Sequence, residues 1–340
     1  MNDTRARLHR DTPLTGISFD EPQLAATVST DLQRVEELLM SELNHGEEFV
    51  NEKVIHLAAA GGKRFRPMFA ILASQLGPRA SCAEVIKAAT VVEMTHLATL
   101  YHDDVMDEAD RRRGVESANA RWGNSVAILA GDILLAHASR IMAELGTPTV
   151  AHFAQTFGDL VTGQMRETVG PGDGDKIEHY LNVVHEKTGV LISSAGYLGA
   201  LHGGCSPEII SALQQFGVYI GTIFQIVDDI IDIFSASEES GKTRGTDLRE
   251  GVFTLPVLFA MKEDSAAGDE LRSILTGPLT SDSEVDRVLE LIEQTDGRAQ
   301  ALDVVESFAT KAFDVLQTLP EGPVRSALRS LTEYSISRVR

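Results

Sequence analysis

The chain has 340 residues, with 50 Asp and Glu against 30 Lys and Arg, for a formal net charge of −20. So acidic a composition excludes the basic footprint of a nucleic-acid binder and gives no general attraction to an anionic membrane surface. Its two cysteines, Cys82 and Cys205, match no metal-ligand spacing and predict a reduced, cytoplasmic setting. No apolar run reaches the roughly 18–20 residues a spanning helix needs, and MNDTRARLHRDTP at the start lacks the apolar segment of a signal peptide.

Residues 1–21 mix charge, Pro and Gly without period and read as a flexible leader; 22–340 read as a single domain. From there almost every stretch has helical period. Leu32, Val35, Leu38, Leu39 and Leu43 recur at three- and four-residue spacing. His56–Ala60 stops at Gly61-Gly62, and Pro67 suits the first turn of a helix over Met68–Leu76. Cys82–Met106, Asn124–Leu145 and Val150–Thr168 follow, and VGPGDGD at 169–175 is a loop. Ile177–Leu201 is two helices or one broken near Gly189; Pro207–Phe234 is long and apolar. The tail has helical patterns at Val257–Lys262, Ser283–Thr295, Arg298–Leu316 and Pro323–Val339, with Ser265–Ser283 the best candidate for a linker. No alternating strand run with a hairpin turn stands out, so the expected class is all-α.

Two acidic stretches carry the chemistry. In THLATLYHDDVMDEADRRRG, Asp103 and Asp107 share one helix face with Asp104 at its edge, and Arg111, Arg112 and Arg113 follow at once. FQIVDDIIDIF repeats the spacing with Asp228, Asp229 and Asp232, which with Gln225 make one stripe about 100° wide. The remaining positions of that helix, Ile223–Phe234, are Ile, Val or Phe, the inverse of an ordinary surface helix. One such copy is as well explained by a solvated acidic face. Two copies in apolar helices point to sites for hard divalent cations, because carboxylates in an apolar setting need compensation. The inference is a Mg²⁺-bridged diphosphate held between two helices. Basic residues should complete such a site. GGKRFRP places Lys63, Arg64 and Arg66 at a Gly-rich break before a helix, either a solvated basic turn or an anion cradle. Arginine suits bidentate contact with phosphate. The residues alone leave His96, two turns before Asp103, unassigned.

Taken together, GGKRFRP, HLATLYHDDVMDEADRRRG, GNSVAILAGD, Gly163-Gln164, Lys187-Thr188, FQIVDDIID and GKTRGTDLREG follow the order of the trans-isoprenyl diphosphate synthases, or polyprenyl synthetases, which the sequence resembles from about Asp31 to its end. The resemblance implies an all-α isoprenoid-synthase-type bundle, usually a homodimer, with a central cavity between the two aspartate-rich helices. It implies that Asp103, Asp104, Asp107, Asp228, Asp229 and Asp232 bind Mg²⁺ ions that grip an allylic diphosphate. Arg112, Lys187 and Lys242 would contact the same group, and Lys63, Arg66, His96 and Arg113 would hold isopentenyl diphosphate. Oxygens near Lys187, Thr188 and Gln225 would stabilise the allylic cation. Where many members carry a second lysine, this chain has Val252, after Glu250-Gly251. The family positions that floor the product pocket are Ala98 and Thr99, both small. The expected product is therefore a long-chain trans-polyprenyl diphosphate of the kind used for quinone side chains, with geranylgeranyl diphosphate the alternative. Transient membrane contact would suit so apolar a product. A class I terpene cyclase fits less well, since its second metal motif differs from Asp228/Asp229/Asp232. A regulatory synthase subunit would typically lack one or both acidic motifs.

Overall fold

A computed structural model describes residues 21–234 and 244–339. The leader apart from Glu21, and Lys242, lie outside the described residues. The chain divides into two compact units. One comprises the described parts of Met1–Val150 with Tyr197–Pro207 and Pro320–Leu331; the other comprises Ala151–Gly196, Glu208–Leu319 and the described part of Thr332–Arg340.

In the first unit, α1 (Pro22–Leu43), α2 (Glu48–Ala59), α3 (Phe65–Ser74), α4 (Ala83–Met106), α5 (Ala118–Trp122) and α6 (Asn124–Leu145) build the core. The α1 stripe Val28, Val35, Leu39, Leu43 is fully buried, as three- and four-residue spacing requires. Helix α3 starts earlier than Pro67 predicts, because Arg64 takes a left-handed φ of 49° as its N-cap and the proline falls within the first turn. From Pro67 to Ser74 it is buried all round. Helix α4 is buried from Val85 through Ala98 at most positions, so it is the central rod of this unit.

The all-α expectation holds with one small addition, and one other expectation needs correction. Strands β1 (Arg111–Arg112) and β2 (Val115–Glu116) pair antiparallel in a short hairpin, too brief to leave an alternating pattern. And α6 is, by length and composition, apolar enough to cross a membrane, with a mean hydropathy of 1.5 over its best window. Polar residues such as Asp132 and Ser139 interrupt its apolar pattern without lowering the average much. Its Ala127, Ala130, Leu134, Ala138, Ile141 and Met142 are buried in the protein core.

In the second unit, α7 (Thr147–Val169) supplies all but its first turn, followed by α8 (Lys176–Val184), a single π-helical turn at His185–Gly189 and the first half of α9 (Val190–Gly203). The break expected near Gly189 is this π turn. Helix α10 (Pro207–Phe234) packs against the π turn and α9, and α11 (Thr246–Glu250), α12 (Leu255–Lys262), α13 (Ala266–Ile274), α14 (Asp282–Ile292) and α15 (Gly297–Gln317) follow. Helix α13 lies within Ser265–Ser283, the best linker candidate in a chain read as one domain: Leu271 is buried and Ser265 caps the helix through Gly268 N. It belongs to a cluster with Ile233, Leu248, Val257, Val285 and Ile292 that anchors the C-terminal end of α10. Helix α16 (Pro323–Ser337) closes the described chain.

The approach of α10 to α9 is set by missing side chains. A Cβ on Gly217 would come within 2.6 Å of Ser193 Cα, and one on Gly221 within 3.0 Å of Gly189 Cα. Glycines one turn apart on α10 thus let two backbones meet, which carries Gln225, one turn further on, to Thr188.

Candidate active site

The first acidic cluster sits at the C-terminal end of α4. The helix ends at Met106, so Asp107 is its C-cap, donating its N–H to Asp103 O at 2.8 Å. The three carboxylates part company there. Asp104 turns inward and is fully buried, whereas Asp103 is partly exposed and Asp107 exposed. Arg112 Nε donates to Asp104 Oδ1 at 2.6 Å, while Oδ2 is buried without a hydrogen-bond partner. Burial pushes the Asp104 carboxyl above its ordinary range, against the pull of Arg112.

The hairpin distributes the three arginines, since successive strand residues point to opposite faces. Arg112 returns to α4. Arg113, at the turn with φ 52°, donates to Leu57 O at 3.0 Å and also to Gly61 O. Its guanidinium lies against Gly62, whose φ of 148° and absent side chain leave the room: a Cβ there would stand 3.0 Å from Arg113 Cζ. Arg66 is partly buried, its Nε is buried without a hydrogen-bond partner, and burial lowers its pKa to about 10. His96 faces the same group. Burial first, then Arg66, Arg113, Arg64 and Arg112, hold it well below the ordinary histidine range. Lys63 is exposed beside them. Arg66 and Arg113 therefore bring positive charge to His96, which stands two helical turns before Asp103. Ala98 is 1% exposed; Thr99 is partly exposed and donates its hydroxyl to His96 O at 2.9 Å.

The second acidic cluster divides in the same way. Asp229 is 5% exposed, and Asp228 and Asp232 are partly exposed. Asp229 Oδ2 accepts from the Tyr180 phenol and Oδ1 from Gln225 Nε2 at 2.9 Å. Burial pushes its pKa up to about 7, opposed by both hydrogen bonds. Thr188 Oγ1 donates to Gln225 Oε1 at 3.1 Å, so a chain runs from the π turn through Gln225 to Asp229. Lys187 Nζ pairs with Glu167. The π turn that presents these two residues needs Gly163 on α7, where a Cβ would stand 2.7 Å from Glu186 Cβ. Asp232 accepts from Asp247 N at 3.3 Å, and Val252 N donates to Asp247 O at 2.8 Å, so the segment carrying Val252 is folded back toward this cluster. Arg338 Nη2 meets Asp228 Oδ1 at 2.7 Å and lies over the Phe224 ring.

Four residues at these clusters went unread in the sequence: Tyr180, Arg338, Arg64 as a paired group, and Glu93. Only Glu93 left a signal, as the one acid in the otherwise largely apolar stretch between Lys87 and Asp103. All the aspartates offer hard oxygen donors, and the unpartnered Asp104 Oδ2 is a buried lone-pair site suited to a divalent cation. Among the described residues no three acidic or histidine side chains converge on one point, so a bound ion would need water or phosphate oxygens to complete its shell.

These features define an all-α isoprenyl-synthase-type protein. The polyprenyl synthetase family model matches residues 47–292. The chain is 51% identical over 328 residues to the nonaprenyl diphosphate synthase of Mycobacterium tuberculosis, covering 96% of this chain and 98% of that one. It is 42% identical to the dimethylallyltranstransferase of the same organism, covering 95% and 99%. Among solved structures it resembles a geranylgeranyl pyrophosphate synthase from Corynebacterium glutamicum, complexed with calcium and isoprenyl diphosphate, at a TM-score of 0.88 and 62% identity, covering 95% and 99%. The chain belongs to the polyprenyl synthetase family, and is a prenyltransferase by class.

Proposed function

We propose that this enzyme condenses isopentenyl diphosphate with an allylic diphosphate primer and releases a long-chain trans-polyprenyl diphosphate. The observation that supports the reading is the grouping of two kinds of side chain around α4. Arg66 of α3 and Arg113 of the hairpin turn stand near His96 of α4, a set suited to one diphosphate, and carboxylates suited to cations lie on α4 two turns beyond His96, about 10 Å along the helix. Asp103, Asp104 and Asp107, and separately Asp228, Asp229 and Asp232, are the proposed ligands of Mg²⁺. When bound, the ions would neutralise charge on the departing allylic diphosphate.

In the proposed reaction the allylic C1–O bond breaks and its electron pair leaves with the diphosphate. The double bond of isopentenyl diphosphate supplies the pair that bonds to C1. A proton then passes to the released diphosphate, and a new double bond forms. The chain's own part is to hold and shield. Thr188 commits its hydroxyl hydrogen to Gln225, which leaves oxygen lone pairs to face the cation. Arg112, Lys187 and Lys242 are proposed contacts of the allylic diphosphate. Lys63, Arg66, His96 and Arg113 hold the acceptor. Water must be kept from the cation, which it would capture.

A cytoplasmic homodimer with one catalytic domain over 22–340 is part of the same proposal, as is brief membrane contact for product release. Small residues at Ala98 and Thr99 support a long product, as does the name of the M. tuberculosis relative at 51% identity. The C. glutamicum relative, at 62%, favours geranylgeranyl diphosphate as a second reading. Incubation with Mg²⁺, labelled isopentenyl diphosphate and a choice of primers, followed by chromatography, separates them. Products with more than four isoprene units support the first reading, and a stop at four the second. Cyclic hydrocarbons or no turnover would overturn both. Ala98→Phe is expected to shorten the product; an unchanged distribution removes the pocket-floor argument.

A further inference from the structure

Glu93 stands one turn before His96 on α4 and is 2% exposed, in a stretch otherwise almost wholly apolar. Its Oε1 accepts from Arg64 Nη1 at 2.8 Å and lies 3.8 Å from Arg113 Nη2. Arg66 is the third guanidinium in its field. Arg64 is tied down on its other edge: Nε and Nη2 reach Glu36 at 2.8 and 3.0 Å, and Nη2 also donates to Ala58 O at 3.1 Å. Its backbone is held at a φ of 49°. Arg64 therefore has every edge of its fork engaged within the protein, while Arg66 keeps a buried Nε unpaired. Three guanidiniums gathered in a poorly solvated patch repel one another unless a counter-charge sits among them. Glu93 is the buried carboxylate that arginines from the GGKRFRP loop and from the RRRG turn share.

We propose that Glu93 is a positioning residue for the diphosphate of isopentenyl diphosphate. It gathers Arg64, Arg66 and Arg113 before the anion arrives, and Arg64 is the clip that fastens the loop to α4 rather than a phosphate ligand. This rests on the reading of Arg66 and Arg113 as diphosphate contacts. The alternative role, that Glu93 only dilutes the positive field, has the opposite sign: removing it would then tighten anion binding.

The test is steady-state kinetics of Glu93→Gln, which keeps the shape and removes the charge, with Arg66→Gln alongside. The expected result for Glu93→Gln is a KM for isopentenyl diphosphate raised tenfold or more, with kcat and the KM for the allylic primer within threefold of the parent. An unchanged or lowered KM for isopentenyl diphosphate overturns the proposal, as does a parallel loss in kcat and both KM values. If Glu93→Gln does not fold, Glu36→Gln decides. Glu36 is 39% exposed, so its loss is tolerated, and loosening Arg64 should raise the same KM severalfold; no change overturns the proposal. If Arg66→Gln leaves that KM unchanged, the site reading itself fails and the proposal goes with it. If Arg66→Gln raises it and Glu93→Gln does not, only the role of Glu93 is lost.

Discussion

The phenol of Tyr180 donates to Oδ2 of Asp229 across 49 residues of sequence, joining α8 to the second acidic motif. With Gln225 Nε2 on Oδ1, both oxygens of that buried carboxylate are oriented before any cation binds. Hydrogen bonds to charged groups are worth about 1.5–3 kcal/mol. Tyr180→Phe keeps the packing and removes the donor. We expect the Mg²⁺ concentration for half-maximal activity to rise roughly tenfold, read by titrating the metal in the condensation assay. An unchanged requirement would mean that Tyr180 merely fills space.

Arg338 acts on the same motif with the opposite sign. Its guanidinium pairs with Asp228, so a cation taking that carboxylate must displace it. The pair is partly exposed, and such pairs hold by about 1 kcal/mol or less. Arg338→Gln should therefore lower the half-maximal Mg²⁺ concentration by about two- to fivefold. A higher requirement would show that Arg338 assists the loaded site.

Gly217→Ala tests how Gln225 reaches Thr188. The added Cβ would stand 2.6 Å from Ser193 Cα, and backbone cannot swing aside as a side-chain tip does. Overpacking of this kind costs about 1–3 kcal/mol. We expect a lower thermal midpoint, together with a fall in kcat larger than that of a surface Gly→Ala control such as Gly158, whose Cβ would meet nothing within 4 Å.

His152 supplies a pH dependence of stability. It shares a hydrogen bond of 3.0 Å with Ser194 Oγ, and burial lowers its pKa from 6.5 to about 4. Between those values the unfolded chain takes up a proton that the folded one refuses. Its contribution is therefore intact above pH 6.5 and is lost as pH falls towards 4. The loss is on the order of 2 kcal/mol after allowance for partial solvent contact. Denaturant unfolding of His152→Asn across that range should show a shallower slope than the parent, and equal slopes would refute the assignment.

The sequence by itself determined the helices and pointed to two carboxylate clusters. Hydrophobic period is local, so α6 and α10 fall within the bounds their patterns predict, Asn124–Leu145 and Pro207–Phe234. Repeated DDxxD spacing in apolar helices is local too, and it singles out the carboxylates. Where the pattern was too brief or masked by Gly and Pro, as in the β1–β2 hairpin and α13, tertiary context had to supply it. Only the folded chain decided which aspartate of each motif turns inward, because that depends on partners far away in sequence: Arg112 for Asp104, Tyr180 and Gln225 for Asp229. It alone showed that Arg112 and Arg113 diverge, that Glycines 217 and 221 draw two helices into backbone contact, and that Glu93 gathers arginines from two segments. The physical reason is common to all of these. Periodicity records which face of an element is apolar, but a buried charge is placed by the partners that compensate it, and those are chosen by the fold.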